Sequence, residues 1–161
     1  MSEPRPQRHP HRVHGRELAL LAACHLESYA RDERARALEI FWTHAPSEVG
    51  DAGVEVRAWL ADPKAVEFAG RLLTIAGERA AELDQAIEST SRSWRLARMD
   101  RVDRNVLRLV AAETVGFPDT PRAVIVSEAV RLASRYGSER SGPFVNGVAQ
   151  ALAARLRGED G

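Results

Sequence analysis

The sequence predicts an all-α fold, a compact bundle of six to seven helices, on three observations. Apolar side chains recur at steps of three and four residues through most of the chain. No stretch keeps the period-two alternation of a half-buried strand, and the breaks between periodic segments fall at Gly, Pro and Asp clusters. With 161 residues, 44% of them hydrophobic, the chain reads as one domain over 12–157 between short tails at 1–11 and 158–161.

Each element follows from local chemistry. Residues 1–11 hold Pro4, Pro6 and Pro10 among polar and basic side chains, a composition that buries too little surface to offset its ordering entropy. Helical spacing begins near Arg12 and runs to Tyr29, with Leu18, Leu21, Ala22 and His25 on one face. A second helix is expected over Glu33 to His44, turning Ala35, Leu38, Phe41 and Trp42 inward, and Ala45 to Gly53 reads as a loop. A short helical piece carries Val56, Trp59 and Leu60. Asp62-Pro63 then signals a helix start, with Asp as N-cap and Pro in the first position. Apolar residues keep helical spacing from Val66 to about Ser91, which predicts one long helix; close crossing by a neighbour would account for Gly70 and Gly77 inside it.

The most regular stretch is Trp94 to Glu113, WRLARMDRVDRNVLRLVAAE, where Met99, Val102, Val106 and Leu109 fall on one helix face. Asp100 and Asp103 form a capping-box-like pair at its start. Arg101, Arg104 and Arg108 are placed on the flank away from the seam, facing solvent or a polyanion. GFPDTP (116–121) breaks the chain, a helix resumes from Arg122 to Tyr136, and Gly137 is expected as its left-handed cap. Gly142-Pro143 opens the last helix, with Phe144, Val148 and Leu152 as its seam. The core is expected to include Leu21, Val106, Leu109, Val130 and Val148.

Net charge is +0 with pI near 7.0, so the surface as a whole attracts neither nucleic acid nor membrane, and any charge signal is local. Residues 1–16 hold Arg5, Arg8, Arg12 and Arg16 against Glu3, and 92–108 hold six Arg against two Asp, whereas 27–55 carry the opposite sign. Of the 23 basic residues only Lys64 is lysine, so arginine identity alone proves little. The single Cys24 excludes an internal disulfide framework, and no apolar run approaches membrane-spanning length, so a soluble cytoplasmic protein is expected. His9, His11 and His14 have no Cys or carboxylate at ligand spacing, so no metal is expected. No nucleophile elbow, zinc motif or glycine-rich phosphate loop occurs; neither catalytic residues nor a cofactor are expected.

WRLARMDRVDRNVLRLVAAE followed by AVIVSEAVRLASRYGSERSGPFVNGV resembles the NusB family of bacterial transcription antitermination proteins. Trp94, Arg98, Val102, Asp103, Arg104, Leu107, Arg108, Leu109 and Glu113 match its W-x-x-x-R-x-x-x-V-D-R-x-x-L-R-L-x-x-x-E block. Glu128, Ala129, Gly137, Phe144, Val145, Asn146, Gly147 and Val148 match the segments that follow it. The resemblance implies a helical fold of two packed subdomains. It also implies binding of boxA-type single-stranded RNA of ribosomal RNA leaders together with the ribosomal protein NusE, within the RNA polymerase antitermination complex. Its arginine-rich N-terminus stands here as RVHGRE, so Arg12 and Arg16 carry over, while Val13, Gly15, Leu21 and Cys24 depart from the family's Arg, Ala, Gln and aromatic. Ser127 replaces the Asn of its I-N-E-A helix, and Arg140 stands at a loop position often acidic in relatives. The RNA-facing set implied is Arg8, Arg12, His14, Arg16, Tyr136, Arg140 and Phe144, with core packing the competing role for Phe144.

Two other readings stay open at this point. One is a divergent helical scaffold that binds protein only or pairs with itself as a homodimer. The other is the helical domain that precedes some ribosomal RNA methyltransferases, against which stands the lack of any methyl-donor site in the chain.

Overall fold

The computed structural model describes residues 9–48, 53–92 and 94–158. Among them lie eight α-helices, one more than expected, and two short 3-10 turns, Arg31–Glu33 and Leu96–Arg98. The helices are α1 (Pro10–Leu26), α2 (Arg34–Glu48), α3 (Gly53–Leu60), α4 (Pro63–Glu78), α5 (Ala80–Ser91), α6 (Arg101–Gly116), α7 (Arg122–Tyr136) and α8 (Ser141–Leu156). The chain divides into two compact units, His9–Arg71 and the part from Leu72 onward.

In the first unit α1 starts at Pro10, two residues earlier than composition suggested, because proline in the first turn forfeits no intrahelical hydrogen bond. Leu18, Ala19, Leu20 and Ala22 are buried, and Leu21 and Cys24 only half-buried, so the inward face is turned from the one centred on Leu21. In α2 the buried residues are Ala37 and Phe41, while Ala35 is exposed; the helix runs on through Pro46, which the composition assigned to a loop. Val56 and Trp59 bury the face of α3, and Asp62 Oδ1 accepts the Lys64 N–H at 3.1 Å, the N-cap read from Asp62-Pro63.

The long helix expected through Ser91 is two helices. Arg79 leaves the helical region (φ −110°, ψ 23°) and its guanidinium forks onto Glu82, Nη2 to Oε1 at 2.7 Å and Nε to Oε2 at 3.0 Å. Gly77, two residues earlier, costs about 1 kcal/mol of helix propensity and has no atom near a would-be Cβ. Gly70 is equally open, so no helix crosses at either glycine.

In the second unit α6 is the central strut: Val106, Leu107, Leu109, Val110, Ala111 and Ala112 are all buried. Asp100 begins the helix with its carbonyl, which accepts the Arg104 N–H at 3.1 Å, but its side chain makes no capping bond, and Asp103 turns inward instead. The seam of α8 is Val145, Ala149, Leu152 and Ala153; Phe144 and Val148 are half-buried, as is Val130 on α7. Leu152 keeps its expected place, but the turns before it bury Val145 and Ala149 in place of Phe144 and Val148, beside an inward Gly142 whose Cβ would lie 2.8 Å from Ser134 Oγ on α7. Gly137 is extended rather than left-handed (φ −94°, ψ −161°), so conformational freedom is not why glycine stands there. A Cβ would lie 2.3 Å from Ser141 Oγ and 2.7 Å from the Ala133 carbonyl.

Candidate nucleic-acid interface

The N-terminal cluster grows from one close approach. Gly15 faces α4 so tightly that a Cβ would sit 2.7 Å from Phe68 Cδ1 and 2.9 Å from the Ala65 carbonyl oxygen. That gap lets the buried Phe68 ring slide beneath α1. Arg12 and Arg16, one turn apart, bring their guanidinium carbons 5.3 and 5.5 Å from its centroid. Both lie within cation–π range, an attraction of about 0.5–2 kcal/mol depending on desolvation. Arg16 is 5% exposed, whereas Arg12 is half-buried with a face open to solvent. His14 stacks on Trp59, centroids 5.7 Å apart and planes 23° off parallel. The affinity of His11 for a proton is lowered, first by partial burial and then by the neighbouring charges of His9, Lys64 and Arg12. Arg8 lies outside the described residues.

The second cluster is the α7–α8 junction. The Arg135 guanidinium lies 5.2 Å from the centroid of the half-buried Tyr136, Arg140 is exposed, and Phe144 is half-buried one helical turn into α8. The connection is closed by hydroxyls: Ser141 Oγ accepts the Ser138 N–H at 3.0 Å, and Ser138 Oγ accepts the Arg140 N–H at 3.3 Å. Ser141 in turn hydrogen-bonds the Asp103 carboxylate, while Asp103 Oδ1 is buried with no hydrogen-bond partner among the described residues. Burial pushes the Asp103 carboxyl above the usual aspartate range, the Ser141 hydrogen bond opposes that shift, and Asp100 adds to it. Neither Ser138 nor Ser141 was legible as a site residue; the nearest signal was the match of the surrounding Gly137 and Phe144.

The arginines of α6 do not form one cationic stripe. Arg108 forms a bidentate pair with Asp84 on α5, at 3.0 and 3.2 Å, and Arg104 Nη1 donates to the Met99 carbonyl at 2.6 Å; only Arg101 is exposed. The Arg104 and Arg108 guanidinium groups tie α6 to what precedes it. Exposed basic charge collects instead on the segment before α6, at Arg92, Arg95 and Arg98 around a Trp94 that is 51% exposed. No group of His, Cys, Asp and Glu suited to a metal ion occurs among the described residues, and no helix there is long and apolar enough to cross a membrane.

The sequence and the fold have counterparts among known proteins. The NusB family profile matches residues 16–154. The transcription antitermination protein NusB of Sorangium cellulosum is 42% identical over 142 residues, covering 88% of this chain and 91% of the relative. The NusB of Myxococcus xanthus is also 42% identical over 142 residues, covering 88% and 94%. Among solved structures, T. maritima NusB superposes with a TM-score of 0.68 at 34% identity, over 91% of this chain and 92% of that one. With residues 16–154 matched by the family and its relatives 42% identical over nearly their full length, the chain belongs to the NusB family, that of the transcription antitermination proteins it resembles.

Proposed function

We propose that this chain acts in the cytoplasm as an RNA-binding antitermination factor. It grips boxA-type single-stranded RNA of ribosomal RNA leaders together with NusE and delivers that complex to RNA polymerase, favouring processive transcription of ribosomal RNA operons. The observation that carries the reading is the Arg12–Phe68 stack: a guanidinium held in place at the positive end of the α1 dipole is pre-organised for phosphate, because little side-chain entropy remains to be lost on binding. His14 and the buried Arg16 stand beside it, and Arg8 adds a further cation just before them in sequence. Tyr136, Phe144 and Arg140 supply rings for bases and a guanidinium for backbone, the two kinds of interaction that single-stranded RNA requires.

The departures at Val13 and Cys24 remove one cation and one ring, so affinity of the isolated chain is expected to be feeble and NusE to raise it. By linkage, RNA then tightens NusE binding by the same factor. The test is an anisotropy titration of labelled boxA RNA with and without NusE, repeated with R12A/R16A over a range of salt. Expected are a clear gain with NusE and, in the variant, a salt slope reduced by about 0.7 for each phosphate that is no longer neutralised. Identical affinity with and without NusE refutes the coupling. No RNA binding in either condition replaces this reading with a protein-only or self-associating scaffold.

A further inference from the structure

We propose that the segment joining α5 to α6, together with the C-terminal part of α8, is a second single-stranded RNA site in which a base stacks on Trp94 and a neighbouring phosphate sits between Arg92 and Arg155. The inference rests on the RNA-binding reading above but uses none of its residues. A cavity of about 430 Å³ lies there, lined by Ser89, Thr90, Arg92, Ala151 and Arg155. Its lining thus includes two arginines and, among the described residues, no acidic residue.

The arginine at its rim is held by the backbone. Arg92 adopts φ 49°, a left-handed value that a side-chain-bearing residue rarely takes, while its N–H still closes α5 on the Glu88 carbonyl. Trp94 and Leu96 are tied back to α5: Ser91 Oγ donates to the Trp94 carbonyl at 2.5 Å, and Glu88 Oε1 accepts the Leu96 N–H at 3.2 Å. These bonds nevertheless leave Trp94 half in solvent, one of two large exposed apolar side chains among the described residues. Arg95, Arg98 and Arg101, all exposed, continue the positive charge along the chain. The C-terminal end of the α5 dipole opposes an anion here, but that effect fades within a turn, and both Arg92 and Arg155 line the cavity.

An exposed indole amid clustered guanidinium charge suits a single strand better than a duplex or a bare anion. Duplex bases are already stacked, and a bare anion leaves the ring without a partner. The site is distinct from the α7–α8 junction: Arg155 lies eleven residues beyond Phe144 on α8, about 16 Å along the helix axis.

The test titrates the full chain and the variants W94F, W94A and R92A/R155A with labelled single-stranded RNA by anisotropy, and follows intrinsic tryptophan fluorescence with RNA and with polyphosphate. Expected are quenching by RNA that W94F abolishes, affinity of W94F near that of the parent because a ring remains, and a loss of about fivefold or more in W94A. R92A/R155A is expected to show a reduced salt slope. Unchanged RNA binding by W94A and R92A/R155A, alongside weakened binding by R12A, overturns this site and leaves the first reading standing. Equal quenching by polyphosphate overturns the base stack, and absence of RNA binding by the parent chain overturns both proposals.

Discussion

Replacing Gly15 by alanine sets two effects of known sign against each other. In an exposed helix interior the change stabilises by about 1 kcal/mol, since glycine gives up more backbone freedom than alanine on folding. Here the new methyl carbon would stand 2.7 Å from Phe68 Cδ1 and 2.9 Å from the Ala65 carbonyl oxygen, each well inside van der Waals contact. Neither neighbour yields easily: one is a ring 5% exposed, the other is helix backbone. Forcing a methyl group into a packed interior costs about 1–3 kcal/mol. The balance is a net loss of about 1 kcal/mol, or a melting temperature lower by about 2–4 °C in a chain of this size. Thermal or urea denaturation followed by circular dichroism reads it directly. Because the cause is the ring, G15A/F68L should recover part of the loss, and the two substitutions should deviate from additivity by roughly 1 kcal/mol. A G15A protein that melts higher than the parent would show that α1 and α4 do not approach as described.

Three further outcomes follow from the packing and the charges. L152A, at a fully buried position, should cost about 2–5 kcal/mol in urea unfolding, while V148A at its half-buried position should cost clearly less; equal losses would restore Val148 to the seam. Asp103 is raised chiefly by burial, so the folded state holds its proton more tightly than the unfolded one. The stability this confers is present below the ordinary aspartate pKa and lost as pH rises through the raised value. The parent should therefore weaken relative to D103N over that window, and parallel stability curves for the two would refute the assignment. The Arg108–Asp84 pair, with each side chain 31% exposed, should show a coupling no greater than about 1 kcal/mol in a double-mutant cycle of R108A and D84A, shrinking as salt rises; a larger, salt-insensitive coupling would contradict its partial exposure.

What the sequence made legible was whatever is decided within a few residues. Asp62-Pro63 capped α4 because the Asp62 carboxylate needs only the Lys64 N–H two residues on, and Pro63 between them has no N–H to satisfy. The apolar face of α6 was readable because one helical period fixes it. The partners of Arg104 and Arg108 were not, since Asp84 lies 24 residues from Arg108 and nothing in local spacing distinguishes a committed guanidinium from a solvated one. The same limit explains the glycines. Gly70 and Gly77 look like crossing points in a helical pattern and face open space, whereas Gly15 and Gly137 are set by Phe68 and Ser141, neighbours visible only in three dimensions. Of the candidate site, Arg12 and Tyr136 could be named from the matched motifs, but Phe68, Trp59 and Ser141 could not, because each acts by supporting another residue.

The α7–α8 junction has a consequence for how the chain can vary in length. Surface connections are ordinarily where insertions accumulate, because their backbone groups answer to water. Here Ser138 and Ser141 close the connection on itself, only glycine fits at 137 because Ser141 Oγ fills the space a Cβ would need, and the same Ser141 hydroxyl reaches back to Asp103 on α6. One added residue would pull Ser141 out of all three relationships at once. This junction should therefore vary among relatives by substitution at its exposed positions, such as Glu139 and Arg140, while its length stays constant.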